Sequence, residues 1–151
     1  MLRLEKDTWA VVADGEKAMF LHNKGGALDP RLSVERVEQQ ENPPQGAQVS
    51  DRPGRRPDTA FAQRSAMEEA DWHQLAKDRF AADLSDILKR MVHRGRVKRL
   101  VLIAPPRVLG EMRDQLHDSV KKTVIAEIPK TLTGHPLPAL QKIIIDDLEM
   151  M

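Results

Sequence analysis

A stretch without apolar periodicity, SDRPGRRPDTAF at residues 50–61, and the residues just after it carry four arginines: Arg52, Arg55, Arg56 and Arg64. A guanidinium group has five N–H donors in a planar fork, and this geometry matches the oxygens of a phosphate or a carboxylate. The arginines therefore indicate a loop that binds RNA or another anion. Asp51 and Asp58 leave an alternative open, in which they pair with the arginines and fix a rigid turn.

A second basic segment, KRMVHRGRVKR at residues 89–99, contains six cationic side chains and no acid: Lys89, Arg90, Arg94, Arg96, Lys98 and Arg99. The whole chain has a formal net charge of only +1, so this segment concentrates positive charge locally. One interpretation is a surface that contacts the phosphates of RNA. The other is a solvated turn, because cations favour the C-terminal end of a helix.

Metal and nucleophile chemistry is not indicated. The chain has no cysteine, and its five histidines are scattered without the spacing of a metal-ligand set. Nucleases with a ribonuclease H-like fold need carboxylates that converge on magnesium. Here Asp14 lies at the end of TWAVVAD, the first predicted strand, and Glu68 and Glu69 lie near the first predicted helix. The fourth predicted strand, RLVLIA, ends in Ala104-Pro105 without an acid. We therefore expect no metal, no cofactor and no catalytic residue.

Three strands are predicted at the start of the chain. TWAVVAD and KAMFLH are β-runs joined at Asp14-Gly15, a common hairpin dipeptide, and LSVERVE at residues 32–38 is a weaker third strand. Residues 39–66, rich in Pro, Gly and Gln, predict a long loop. The helix after it has apolar residues on one face and Gly95 as its stop. We expect this face to pack in the core, and it comprises Trp72, Leu75, Ala76, Phe80, Leu84, Ile87, Leu88 and Met91.

The rest of the chain alternates strands and helices. RLVLIA at residues 99–104 is a continuous apolar run, typical of a buried parallel strand. A second helix is predicted through Leu109 to Val120, TVIAEI at residues 123–128 is the last strand, and Pro136 or Pro138 opens a final helix. The order β-β-β-α-β-α-β-α predicts an α/β (α+β) fold with a mixed five-stranded sheet, as in ribonuclease H-like and related translation-factor domains.

Composition bounds the class of protein. The 151 residues are the length of one ordinary domain, so we expect a single domain over residues 1–151. With 40% apolar and 31% charged residues, the chain is typical of a soluble globular protein. Its start resembles no signal peptide and no run is long enough to span a bilayer, so we expect a cytoplasmic protein without a membrane partner. The sequence leaves the oligomeric state open.

Several short motifs, taken in order, resemble the bacterial family called host attachment proteins. The most specific is APPxxLGxxR, and the others are TWAVVADG, DRPGR, Phe-Ala and EIPKTLTGHP. The residues that match are Asp14, Gly54, Arg55, Phe61, Ala62, Ala104, Pro105, Pro106, Leu109, Gly110 and Arg113. The resemblance spans roughly residues 8–148, and the family name implies a role in bacterial attachment to host cells.

The family is in turn similar to the middle domain of eukaryotic and archaeal peptide-chain release factors. In those factors a long basic loop before a long helix carries a Gly-Gly-Gln motif, which enters the ribosomal peptidyl-transferase centre. This chain has Arg56, Pro57 and Asp58 where that motif would be expected, and Gly-Gly-Gln occurs nowhere in it. Because proline fixes φ and removes an N–H donor, hydrolysis by that route is not expected. The resemblance therefore implies a noncatalytic domain that binds ribosome, tRNA or another RNA. The alternative is a protein-interaction factor in attachment to host cells or surfaces.

The arginine loop gives a first testable prediction. Replacing Arg52, Arg55 and Arg56 together with Ala should weaken binding to an anionic partner such as RNA, since three guanidinium groups are lost. The thermal midpoint should barely change, because exposed loop charges usually contribute within about 0.5 kcal/mol. A large loss of stability would show instead that the arginines hold a rigid turn with Asp51 and Asp58.

Overall fold

A computed structural model of the chain describes residues 1–40 and 59–151, with side chains of the second range described from residue 74 onward. Within these residues the chain forms five strands and four helices. The strands are β1 (Trp9–Ala13), β2 (Lys17–Asn23), β3 (Leu32–Gln39), β4 (Leu100–Ile103) and β5 (Val124–Ile128). The helices are α1 (Thr59–His93), α2 (Pro106–Gln115), α3 (Asp118–Lys121) and α4 (Leu137–Glu149).

The strands form one mixed sheet in the order β3-β2-β1-β4-β5. β1 pairs antiparallel with β2, which pairs antiparallel with β3, and the hairpin register joins Trp9 to His22 and Ala13 to Ala18. β4 lies parallel to both β1 and β5. Two parallel strands need a crossover connection, and the helices between β3 and β4 and between β4 and β5 supply it. The predicted mixed sheet of five strands is confirmed.

Helices cover both faces of the sheet because β1 is apolar at every position. Side chains alternate between the two faces of a strand, so Val11 and Val12 point in opposite directions and each needs an apolar cover. Val11 belongs to a core with Phe80 of α1 and Met112 of α2, whereas Val12 belongs to a core with Ile144 of α4. β4 is likewise buried along its whole length, as its continuous apolar run predicted.

Helix α1 begins earlier than the sequence predicts. Residues 59–66 were predicted to belong to the long loop, but they are the first two turns of the helix. The segment TAFAQRSA has no Gly or Pro and contains three alanines, the residue with the highest helix propensity. Once Pro57 is passed, nothing in the local sequence opposes a helix. The prolines and glycines that predict a loop over residues 39–66 all lie before Thr59.

The apolar face of α1 is core over only part of its length. Phe80, Leu84 and Leu88 are 6%, 1% and 0% exposed, as predicted, but Leu75 is 56% exposed. The prediction that Leu75 packs in the core is therefore wrong. A helix of 35 residues is about 52 Å long and a strand of five about 17 Å, so α1 cannot lie on the sheet from end to end. Trp72, at the start of the predicted face, lies outside the described side chains.

The second predicted helix is two helices. α2 ends at Gln115, and Leu116 and His117 adopt extended backbone with ψ of 137° and 148° before α3 begins. The His117 side chain accepts the backbone N–H of Ser119, which satisfies a donor at the start of α3. Leu116 and Val120 stay buried across the break, so the apolar pattern alone did not reveal it.

The final helix follows its proline signals. Pro136 is the N-cap of α4 and Pro138 lies within its first two positions, where a missing N–H costs nothing. Leu140, Ile144 and Leu148 are buried against the sheet, as the spacing predicted. Among the described helices, α4 included, none is both long and apolar enough to cross a membrane.

Phe80 and Leu75 provide a matched test of this packing. Replacing Phe80 with Ala should lower the free energy of unfolding by about 3–5 kcal/mol, because the ring is lost from a filled core. Leu75→Ala, on the same helix but exposed, should change it by no more than about 0.5 kcal/mol. Urea denaturation measures both, and equal effects of the two variants would contradict the packing described here.

Candidate nucleic-acid interface

The basic segment at residues 89–99 begins on the last turns of α1 and continues through a tight turn. The helix ends where Gly95 adopts φ of +75°, a left-handed conformation that glycine takes at little cost. The N–H of Gly95 donates to Val92 O at 2.9 Å and the N–H of Arg96 donates to Met91 O at 3.0 Å. These two bonds are a Schellman motif, which satisfies carbonyls at the helix end. The predicted stop at Gly95 is confirmed.

Central strand β1 holds this turn in place. The indole N–H of Trp9 donates to the backbone oxygen of Arg96 at 3.0 Å, and the Arg96 guanidinium carbon lies 5.6 Å from the centre of the Trp9 ring. A cation over an indole face is attracted by the ring quadrupole. Val97, only 2% exposed, packs in the same core as Trp9. The turn is therefore anchored by a hydrogen bond, a cation–π contact and a buried side chain.

The six cations of this segment, which we call the α1 basic surface, fall into two groups. Arg96 lies over Trp9, and Arg99 approaches Glu5 with 3.6 Å between Nη1 and Oε1. The other four form no salt bridge within the described part of the chain: Lys89, Arg90, Arg94 and Lys98. Among the described residues the cations outnumber the acids here, so the local field favours an anion.

A pocket lies on the helical part of this surface. It has a volume of about 330 Å³ and is lined by Asp86, Lys89, Arg90, His93 and Arg94. Beside it, Ser119 Oγ of α3 lies 3.3 Å from His93 Nε2 and 2.8 Å from His117 Nδ1. No local pattern predicts that His117 and Ser119 join this surface, because they are distant from it along the chain. The local signal for these two residues is the polar segment His117-Asp118-Ser119 directly after Leu116, which indicates a helix start.

Asp14, one of the motif residues, has a structural role. Its Oδ1 accepts the backbone N–H of Glu16 at 2.7 Å and of Lys17 at 2.8 Å, which closes the β1–β2 hairpin. Its Oδ2 accepts the hydroxyl of Thr133 at 2.7 Å. The carboxylate therefore ties the hairpin turn to the TLTGHP loop, two of the motifs that the resemblance rests on. Among the described residues, no cluster of three or more His, Asp or Glu is placed to hold a metal ion.

The APPxxLGxxR motif builds the junction between β4 and α2. Ala104 is fully buried, Pro105 is the N-cap of α2, Pro106 is its first residue, and Leu109 is 2% exposed in the core. A Cβ atom at Gly110 would meet no atom within 4 Å, so packing does not require the absence of a Cβ there. Every described residue of the motif except this glycine has a structural reason.

Arg113 joins α2 to strand β5. Its Nε donates to both carboxylate oxygens of Glu127, at 2.9 and 3.1 Å, and its Nη2 donates to Oε1. These hydrogen bonds raise the pKa of the Arg113 guanidinium above its usual value, and the charge of Glu127 adds to the effect. Arg113 is thus engaged with a neighbouring strand, which separates it from the unpaired cations of the α1 basic surface.

The other predicted site residues lie outside the described side chains: Arg52, Gly54, Arg55, Arg56, Phe61, Ala62 and Arg64. Their roles stay predictions from the sequence. Where the described residues are concerned, the fold brings Lys89, Arg90 and Arg94 together at one pocket and leaves Lys98 exposed on the turn beyond it.

Asp14 offers a test of its structural role. Asp14→Ala removes three hydrogen bonds and should lower the free energy of unfolding by about 1–3 kcal/mol, because acceptors for two backbone N–H groups are lost. Asp14→Asn keeps an acceptor oxygen for the turn and should cost distinctly less. Chemical denaturation of both variants measures this, and an Asp14→Ala protein as stable as the parent would show that the three bonds contribute nothing.

Comparison with known proteins places the chain in a family. No curated protein matches it. The model of the family described as Bacterial archaeo-eukaryotic release factor family 12 matches residues 7–144, a range that contains all five strands and most of α4. The match confirms the resemblance to release factors, whereas the resemblance to host attachment proteins stays a prediction. The chain belongs to Bacterial archaeo-eukaryotic release factor family 12.

Proposed function

We propose that this chain is a noncatalytic, release-factor-like protein that binds RNA, as ribosome, tRNA or another RNA. The observation that carries the proposal is the α1 basic surface, where Lys89, Arg90, Arg94 and Lys98 form no salt bridge within the described residues. Membership of a release-factor family supports a partner from translation. The predicted arginine loop, which lies outside the described residues, would add Arg52, Arg55 and Arg56 to the same function.

Unpaired cations favour RNA because binding releases the counterions that surround its phosphates. Each phosphate contact contributes about 0.7 to 0.9 to the slope of log affinity against log salt. Four contacts from Lys89, Arg90, Arg94 and Lys98 would therefore give a slope of about −3. These side chains stand on a helix and on a turn anchored to β1, so little ordering of the backbone is needed when RNA binds.

The contacts are expected to be made to phosphates and not to bases. Single-stranded nucleic acid is usually gripped by stacking its bases on aromatic side chains. Of the five aromatic residues in the chain, three have described side chains, and all are buried: Trp9, Phe20 and Phe80 are 3%, 0% and 6% exposed. The described surface therefore suits a folded RNA that is recognised through its backbone.

Catalysis is left out of the proposal for two reasons. The sequence contains no Gly-Gly-Gln, the motif that enters the peptidyl-transferase centre in the release factors it resembles. β1, which would carry a central carboxylate in a ribonuclease H-like nuclease, is WAVVA and fully apolar. Among the described motif residues, Asp14 and Arg113 are already engaged in bonds that hold the fold together.

A second candidate function is a protein-interaction factor in attachment of bacteria to host cells or surfaces. The observation that favours it is an exposed apolar pair, Val34 and Val37, 43% and 49% exposed on β3. β3 is an edge strand, and edge strands can pair with a strand of another protein. A pull-down from lysate with and without nuclease separates the two functions. Partners that survive nuclease unchanged would favour this second one.

The salt dependence of RNA binding tests the first function. For a hairpin RNA titrated between about 50 and 200 mM salt, Lys89→Ala/Arg94→Ala should weaken binding and reduce the slope by about 1.5–2, because two phosphate contacts are lost. Fluorescence anisotropy measures both quantities.

The matched control removes the same charges elsewhere. Arg31 and Lys142 are exposed, form no salt bridge within the described residues and lie near or on α4, which covers the opposite face of the sheet. Arg31→Ala/Lys142→Ala should leave the slope nearly unchanged. The proposal would be overturned if both double variants behaved alike, or if the parent protein bound RNA without salt dependence.

A further inference from the structure

The pocket on α1 is a small, open depression lined mainly by charged side chains. Its lining residues, Asp86, Lys89, Arg90, His93 and Arg94, are spaced three, four, seven and eight positions from the first, so they share one face over the last turns of the helix. Three of them are cations and one is an acid, which leaves a charge of +2 before His93 is counted. A volume of about 330 Å³ is at the lower end of the range for small-molecule sites.

His93 is held at the edge of this pocket by another helix. Its Nε2 lies 3.3 Å from Ser119 Oγ, and that hydroxyl lies 2.8 Å from His117 Nδ1. The rings of His93 and His117 meet edge to face, 5.8 Å between centroids. Ser85 of α1 adds a hydrogen bond of 2.7 Å to the backbone oxygen of Gln115, at the end of α2. His93 is therefore held at the pocket, and α1 is held against α2, before any ligand arrives, which lowers the entropic cost of ordering them on binding.

The charge of the pocket selects among phosphates. An internal phosphodiester carries one negative charge, whereas a phosphomonoester carries about 1.5 to 2 at neutral pH and offers three acceptor oxygens. Three cations within two helical turns attract the more highly charged phosphomonoester more strongly than a phosphodiester. The planar guanidinium groups of Arg90 and Arg94 match the geometry of its oxygens. The C-terminal end of a helix disfavours anions, at about half an elementary charge, so the cations must also offset this dipole.

We infer that this pocket binds the phosphomonoester of a phosphorylated RNA end. The inference rests on the proposed function for its macromolecular ligand, and it goes beyond that function in assigning a separate subsite for the end of the strand. The rest of the α1 basic surface, Lys98 above all, then contacts internal phosphates.

Three hairpin RNAs of one sequence test the inference: one with hydroxyl ends, one with a 5′-phosphate and one with a 3′-phosphate. One of the phosphorylated RNAs should bind the full chain at least about fivefold more tightly than the hydroxyl-ended RNA. Equal affinity for all three would overturn the subsite and leave the proposed function standing. If no RNA binds, the proposed function fails, and the subsite is then decided by adenosine monophosphate alone. Shifts of the 86–94 amides in its NMR titration would support the subsite, and unchanged spectra would overturn it.

Acidic and basic variants on the same helix should act in opposite directions. Asp86→Asn removes the acid of the pocket and should increase the preference for the phosphorylated end by about twofold or more. Asp83→Asn, one turn earlier and outside the pocket lining, is the matched control and should not change the preference. Arg94→Ala should reduce it. A similar gain from Asp83→Asn and Asp86→Asn would show that general charge, and not this pocket, is responsible.

Discussion

The structure depends on the burial of β1 from both sides. All five residues of WAVVA are apolar and at most 3% exposed, so the strand is stable only with a helical layer against each face. That requirement places α1 and α2 on one side and α4 on the other. It also removes polar chemistry from the centre of the sheet. A carboxylate buried at Val11 would lack both partner and solvent, and its cost would be several kcal/mol.

Polar side chains that could bind a ligand therefore lie at the ends of the strands and helices. Trp9 connects one such region, the basic turn after α1, to the core. The indole is buried on the α1 side of the sheet, yet its N–H reaches the backbone oxygen of Arg96. The basic turn is thereby fixed to β1, the fully buried central strand of the sheet. A cation presented on such a turn loses less conformational freedom on binding than one on a free loop. The same logic applies to His93, which Ser119 holds from α3.

Features coded by local pattern could be predicted from the sequence, and features made by distant contacts could not. The apolar run RLVLIA, the two β-runs joined at Asp14-Gly15 and the glycine at position 95 each indicate their structure within a few residues. Asp14 and Thr133 are 119 positions apart, so no local signal connects them. Leu75 satisfies the helical spacing and is nevertheless exposed, because periodicity shows which face is apolar and not how far the sheet extends beneath it.

The candidate site likewise has one part that the sequence predicts and another part that only the fold shows. The six cations at residues 89–99 were visible as a run of like charge, but only the fold shows that Arg96 and Arg99 are engaged with Trp9 and Glu5. Family motifs were the weakest guide to chemistry. The APPxxLG string and Arg113 look like a site in the sequence, and in the structure they build the junction of β4, α2 and β5. A motif shared by a family can consist of residues that hold the fold together as well as residues that bind a ligand.

The central claim is that RNA binds on the α1 side of the sheet, at the end of α1 and the turn after it. Amide chemical-shift mapping of the labelled protein with a hairpin RNA tests this most directly. The account predicts shifts concentrated in residues 86–99 and in α3, with the amides of α4 on the opposite face unchanged. Shifts centred on α4, or a spectrum that the RNA leaves unaltered, would contradict it.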